Sequence, residues 1–357
     1  MSTTTTDASP PEAGRGKTAD AEVRRRRPRR ARGAWLLAVV AVLAALMGAS
    51  ILIGSRDVDL ADVIAALGGG TDGFGQASVA KRIPRTLLAV ITGAALGVSG
   101  AVMQGVTRNP LADPGILGIN MGASLAVVIG IGYFGLTGAT SYIWVAITGA
   151  AVTAVAVYVI GSLGRGGATP LKLALAGAAT AAALASFISG IRLIRGDISD
   201  SALSWQIGGV GGATFASIGQ VAPFLIGGFA ICLLCARGLN SLALGDDLAA
   251  GLGERVAIAR GVSSLGAVVL CGAATAVTGP IGFVGLVVPH ACRLLVGVDH
   301  RWLLPFSAVT GAALLTAADI VGRIAARPSE VAVGIVTALI GAPFFIAIVR
   351  RQKVREL

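Results

Sequence analysis

Charge is what this sequence has least of. Asp, Glu, Lys and Arg make up 13% of its 357 residues, about half the ~25% of an ordinary soluble domain. That is too little polar material to cover a water-soluble protein of this size, which excludes a cytosolic enzyme. Histidine is almost missing, with two residues, and aromatics are 5%. His290 and His300 have no cysteine or carboxylate at metal-ligand spacing, so no metal is expected. Four cysteines in so long a chain make no disulfide framework, and Cys232-Leu-Leu-Cys235 sits in an apolar run where packing explains it. Gly16-Lys17-Thr18 lacks the glycine of a phosphate loop five positions earlier, where Pro11 stands. No catalytic residue, bound cofactor or ATP hydrolysis by the chain itself is therefore expected. Too few carboxylates and histidines lie along the apolar runs to build a proton relay, which weighs against an ion-coupled transporter.

What the chain does have is long apolar runs rich in small residues. Residues of the AVILMFWYC set are 55%, and there are 51 glycines, a composition suited to helices packed closely in lipid. A bilayer core takes about 20 apolar residues per helix. Ten segments qualify, approximately 34–54, 86–106, 115–134, 141–162, 172–191, 215–236, 256–278, 281–296, 302–322 and 332–349. The expected fold is an all-α polytopic membrane protein of about ten transmembrane helices.

The net charge of +11 is concentrated ahead of the first segment, where Arg15, Lys17, Arg24, Arg25, Arg26, Arg27, Arg29, Arg30 and Arg32 fall within 33 residues. Such a block beside a span stays on the cytoplasmic side and can meet anionic membrane lipid; nucleic acid is not the expected partner. Residues 1–33 read as a disordered basic cytoplasmic tail, 34–350 as the transmembrane domain and 351–357 as a cytoplasmic C-terminal tail. A cleaved signal peptide is not expected. With ten spans and the N-terminus inside, 21 basic residues fall inside and 8 outside, which favours both termini in the cytoplasm.

Three connections draw attention. Residues 55–85 read as a long outside connection with a short helix at 60–67, and 192–214 as a second one around Trp205. Inside, 237–255 (RGLNSLALGDDLAAGLGER) is too polar to cross lipid yet patterned. Leu242, Leu244, Leu248 and Leu252 can share an apolar side on short helices, with Asp246 and Asp247 at a turn. A docking surface and a solvated loop both fit that pattern. Asp319 and Arg323 stand one helical turn apart and can pair. Two stretches break the backbone rhythm, Arg108–Gly115 and Thr278–His290. Irregular backbone at membrane depth is tolerated only where protein buries it or it lines a watery path, so a multispan transport protein is expected.

At these residues the sequence resembles a known family. Arg82-Ile83-Pro84-Arg85-Thr86-Leu87, Gly100-Ala101-Val102-Met103-Gln104, Asn109–Gly115, Leu242-Ala243-Leu244-Gly245, Ile281–His290, Asp299-His300-Arg301, Ala318-Asp319-Ile320 and Gly341-Ala342-Pro343 are similar, in collinear order over about 35–350, to permease subunits of type II ABC importers for ferric siderophores, haem and vitamin B12. Thr107–Gly115 and Val298–Trp302 look most like the ferric-enterobactin-type permeases. The resemblance implies ten helices, both termini in the cytoplasm and residence in the bacterial cytoplasmic (inner) membrane. The partners it implies are a second permease (identical or related), two ABC ATPases carrying ATP-Mg, and an extracytoplasmic siderophore-binding protein. It assigns ATPase coupling to Leu242, Leu244, Gly245, Asp246, Asp247, Leu248, Leu252 and Gly253, and binding-protein docking to Arg82, Arg85 and Arg323. The cytoplasmic gate falls on Asn109, Leu111, Thr169, Pro170 and Leu171, although Gly166–Pro170 departs from the more Ser/Thr-rich vitamin B12 pattern. The expected cargo is a ferric siderophore, with haem or vitamin B12 as the alternative; an ion-coupled transporter and a membrane scaffold are the readings from other classes.

Overall fold

The computed structural model describes residues 29–54, 58–70, 73–136, 139–163 and 169–353. It is a helical assembly with no strand among the described residues. The helices are α1 (Arg29–Leu52), α2 (Leu60–Leu67), α3 (Phe74–Thr107), α4 (Ile119–Phe134), α5 (Ala139–Ser162), α6 (Pro170–Ile194), α7 (Ser199–Ile207), α8 (Phe215–Leu234), α9 (Ala236–Leu242), α10 (Asp246–Gly251), α11 (Val256–Thr278), α12 (Val284–Val296), α13 (His300–Ala325) and α14 (Val333–Lys353).

Seven of these, α1, α3, α5, α6, α8, α11 and α13, are long and apolar enough to cross a membrane. Three shorter apolar helices occupy Ile119–Phe134, Val284–Val296 and Val333–Ala347. Each of the ten apolar segments read from the sequence falls on one of these helices, and α2 lies where it was expected.

The core is built around α3. Its 34 residues span roughly 50 Å at 1.5 Å per residue, and it packs against α1, α8, α11, α12 and α13. Gly93, Gly97 and Gly100 repeat along one side of α3, since positions three and four apart share a helix face. A Cβ on Gly93 would stand 2.3 Å from the Gly311 carbonyl oxygen of α13, one on Gly97 2.3 Å from that of Ser307, and one on Gly100 2.0 Å from that of Gly285 in α12. Small residues let these backbones approach, as packing in lipid favours.

The structure corrects the reading of two boundaries. Residues 55–85 are not one long connection, because α3 starts at Phe74 and carries Pro84 inside it; neighbouring helices re-satisfy the freed backbone at such a site. The connection 192–214 carries a helix of its own, α7, which includes Trp205. Arg29–Gly33 form the opening turns of α1 instead of belonging to the tail, while the rest of the basic tail, 1–28, lies outside the described residues.

The break at 279–283 is partly covered by protein, with Gly279 and Ile281 buried and Gly282 exposed. Gly279 and Phe283 take left-handed φ values of 71° and 68°. The Thr278 carbonyl accepts from the Gly209 N–H at 2.7 Å, and the Gly208 carbonyl accepts from the Gly334 N–H at 3.2 Å. A side chain at Gly279 would strike the Trp205 carbonyl oxygen at 2.1 Å. The turn after α7 thus fills the break and holds it against the start of α14.

Candidate functional site

Two polar regions stand out, one at each end of the bundle. The first is the helix pair between α8 and α11. Gly245 and Gly253, at φ 108° and 84°, make the turns that flank α10, a conformation open to glycine and strained for other residues. Leu242 does not join the outward leucines. It is fully buried in the core with Leu239, three positions earlier on the same face of α9, and anchors the pair by that side. Leu248 of α10 and the flanking turn residues Leu244 and Leu252 do point outward, at 63%, 56% and 69% exposure. Ala249 is buried beneath them, and Asp247 is exposed. Asp246 accepts from Arg260 Nη2 at 3.0 and 3.2 Å and is also paired with Arg108.

Sequence reading missed Asn240, which ties α9 to the start of α13. Its Oδ1 accepts from the His300 backbone N–H at 2.9 Å and stands 2.9 Å from His300 Nδ1. Its Nδ2 donates to Asp299 Oδ1 at 2.8 Å, which fixes the amide orientation and therefore places the proton on His300 Nδ1. Burial works to raise the Asp299 carboxyl, but the Asn240 and Arg301 N–H donors and the charges of Arg301 and Arg32 outweigh it and hold the group below its usual range. No sequence motif marked Asn240, since its partners lie some 60 positions away.

Beside the helix pair is the turn after α3. Arg108 is left-handed at φ 52°. Asn109 Oδ1 accepts from the Leu111 N–H at 2.9 Å, and Asp113 Oδ1 accepts from the Gly115 N–H at 2.8 Å. Desolvation pushes the Asp113 carboxyl up, only partly offset by that N–H. The 3-10 turn Pro114–Leu117 packs against α6. Thr169 caps α6 by accepting from the Lys172 N–H at 3.4 Å, with Pro170 at the first helical position, and Leu171 is exposed. The two expected gate segments thus lie at the same end as α9 and α10.

The opposite end holds the arginines. Arg323 is 1% and Asp319 2% exposed, and they pair at 2.9 Å. Asp319 also takes Arg85 at 2.8 Å, and Arg85 reaches Glu330 at 2.6 Å. Arg323 donates to the carbonyls of Ser50 and Ile53 at 2.7 and 3.0 Å. Arg82 donates to those of Ile51 and Leu52 at 3.0 and 2.8 Å, and Arg327 to that of Gly54 at 2.6 Å. Three guanidinium groups therefore satisfy five consecutive carbonyls at the C-terminus of α1, groups that a helix end leaves without partners and with partial negative charge. Gly54 leaves room for this arrangement, as a Cβ there would come within 2.1 Å of Arg82 Nη2 and displace the guanidinium. Arg82 and Arg323 are accordingly turned into the protein rather than displayed on its surface; Arg85, with Glu330, is nearest the outside.

The sequence matches the FecCD transport family over residues 40–351. The chain belongs to the FecCD transport family. This FecCD protein is 45% identical over 305 residues, 85% of its own length and 91% of the relative's, to the ferric enterobactin transport system permease protein FepD of Escherichia coli (strain K12). It is 40% identical over 277 residues, 76% and 82% of the two chains, to the hemin transport system permease protein HmuU of Yersinia pestis. A solved structure of an inward-facing conformation of a metal-chelate type ABC transporter shares its fold, with a TM-score of 0.77, 28% identity and coverage of 89% of this chain and 99% of that one. The FecCD protein is thus a transport permease and not an enzyme.

Proposed function

We propose that this chain is the membrane-spanning permease subunit of an ATP-driven ABC importer that carries a ferric siderophore across the bacterial cytoplasmic membrane. In this reading all ten apolar helices span, both termini face the cytoplasm, and the pathway forms against a second permease, identical or related. Two ATPases hydrolyse ATP-Mg on the inside, and an extracytoplasmic binding protein delivers the cargo. The observation that carries the proposal is the 45% identity over 85% of the chain to a ferric enterobactin permease. A ferric-hydroxamate import permease of Bacillus subtilis (strain 168), 44% identical over 276 residues, supports the siderophore class over the hemin relative at 40%.

The outward leucines on and beside α10 supply the coupling surface. A row of exposed Leu244, Leu248 and Leu252 fits an apolar cleft on the ATPase, with Gly245 and Gly253 setting the turns and Leu242 anchoring the pair from within. Asn109 and Leu111, with Thr169, Pro170 and Leu171, form the cytoplasmic gate. Docking of the binding protein uses the Arg85–Glu330 edge, which Arg82 and Arg323 support from beneath; rim charges of this kind set encounter rate and orientation more than affinity.

The test of cargo is radio-iron uptake from a panel of ferric siderophores, with haem and cobalamin as controls, in cells lacking or complemented for this gene. Loss and rescue confined to one siderophore class is the expected result. Loss of haem or cobalamin uptake instead would transfer the protein to that cargo. Uptake that survives an inactive ATPase but collapses with an uncoupler would overturn the ATP-driven reading. Leu248→Arg, which places a charge at the centre of the outward row, should release the ATPase from the purified complex while the permease still folds. Retention of the ATPase at the wild-type level would exclude this surface as the docking site.

A further inference from the structure

Asp246 and Asp247 are adjacent in sequence but differ in what they face. Asp247 is exposed on the outside of α10. The carboxylate of Asp246 instead draws two guanidinium groups from separate elements: Arg260 on α11, at 3.0 Å, and Arg108 at the end of α3. Arg108 is the residue that terminates α3 in a left-handed turn, and the next residue, Asn109, opens the turn that closes on Leu111 and Ala112. That turn is internally braced, with the Leu111 N–H on Asn109 Oδ1 at 2.9 Å and the Ala112 N–H on the Asn109 carbonyl at 3.1 Å. A contiguous chain of contacts therefore runs from the row containing Leu248, through Asp246 and Arg108, into the Asn109–Leu111 turn.

An acidic first turn also favours the N-terminus of any helix, but that effect needs no partner from α3 or α11. Both Arg108 and Asp246 are more than one-third exposed, and pairs of that kind contribute little to stability. Their convergence on a single carboxylate does connect α10 to both α3 and α11.

We infer that Asp246 is a positioning residue that passes movement of α10 to the turn after α3, and that it is not a contact for the ATPase. The inference rests on the coupling role proposed above for α9 and α10. It divides the paired aspartates into one outward residue and one inward link.

The experiment uses the complete importer purified with its ATPase and reconstituted with its binding protein. Asp246→Asn, Arg108→Gln, the double variant, Asp246→Glu and Leu248→Arg are compared for retained ATPase, ATP hydrolysis and cargo transported per ATP. Asp246→Asn should keep the ATPase bound and hydrolysing while cargo per ATP falls about tenfold, within the usual range of coupling between sites. Arg108→Gln should show the same loss, and the double variant should be no worse than either single, as expected of two residues acting through one contact. Asp246→Glu should recover part of the transport.

Release of the ATPase by Asp246→Asn would overturn the inference, since the residue would then be a contact. Normal cargo per ATP in Asp246→Asn or Arg108→Gln, or fully additive losses in the double variant, would overturn it too. If Asp246→Asn does not fold, Arg108→Gln decides alone. Leu248→Arg separates the two levels: its retaining both ATPase and transport defeats the coupling reading itself, whereas its shedding the ATPase while Asp246→Asn transports normally defeats only the present inference.

Discussion

Asp319→Ala is expected to destabilise the protein by about 3–5 kcal/mol, the range seen when one member of a buried ion pair is removed. Asp319 is the shared acceptor of Arg85 and Arg323, and both it and Arg323 are shut off from solvent. Without it, Arg323 would keep its carbonyl partners on α1 but lose its counter-charge, inside a region where an uncompensated charge is expensive. Arg85 would keep only Glu330, at the more exposed end of its guanidinium. Unfolding of the purified permease by SDS in mixed micelles measures the effect. A loss below about 1 kcal/mol, the ceiling for an exposed pair, would show that Asp319 is solvated in the membrane. The double change Asp319→Leu with Arg323→Met should be less harmful than Asp319→Ala alone, because it removes both charges together. The double change still strips the caps from Ser50 and Ile53, so it is not expected to be neutral.

The second large effect is steric. Gly100→Val should destabilise the protein by about 3 kcal/mol or more, at or beyond the upper end of ordinary overpacking. A Cβ at position 100 would lie 2.0 Å from the Gly285 carbonyl oxygen and 2.4 Å from its Cα. Both obstacles are backbone, so relief requires α3 and α12 to move apart rather than a side chain to swing away. Separation there would also disturb Gln104, whose Nε2 donates to the Gly285 carbonyl at 3.2 Å and whose Oε1 accepts from Arg293 at 2.5 Å. Gly190→Val is the control, since Gly190 in α6 has nothing within 4 Å of the added atom. Folded yield by size-exclusion chromatography in detergent should collapse for the first variant and persist for the second. Equal yields would mean that the close approach of α3 and α12 is not needed.

Much of the fold was legible because it depends on composition and local spacing. Runs of apolar residues near the length of a bilayer core identify helices wherever they pack, and all ten were found that way. The short helix Leu60–Leu67 and the pair α9 and α10 carry their own apolar patterns between glycines. Asp319 and Arg323 pair as their spacing of four predicts. The start of α3 was missed because Pro84 and the charged Lys81, Arg82 and Arg85 look like the edge of a span. Tertiary contacts overrule that signal: the bundle receives Arg82 at the end of α1, so the helix continues through the proline.

Sequence alone thus determined the class of protein, its ten long apolar segments, its family and the location of the polar helix pair. These follow from quantities read along the chain, namely apolar length, charge scarcity and short motifs. Only the tertiary structure decided which residues of each motif face inward. It buried Leu242 while leaving Leu244, Leu248 and Leu252 outside, and it turned Arg82 and Arg323 onto the carbonyls of α1. It also gave Asp319 a second partner in Arg85, 234 positions away, and bound Arg323 to Ser50 across 273 positions. A buried charge takes whatever complement the packed helices bring to it, and that complement is set by which helix faces meet, a property no local pattern contains.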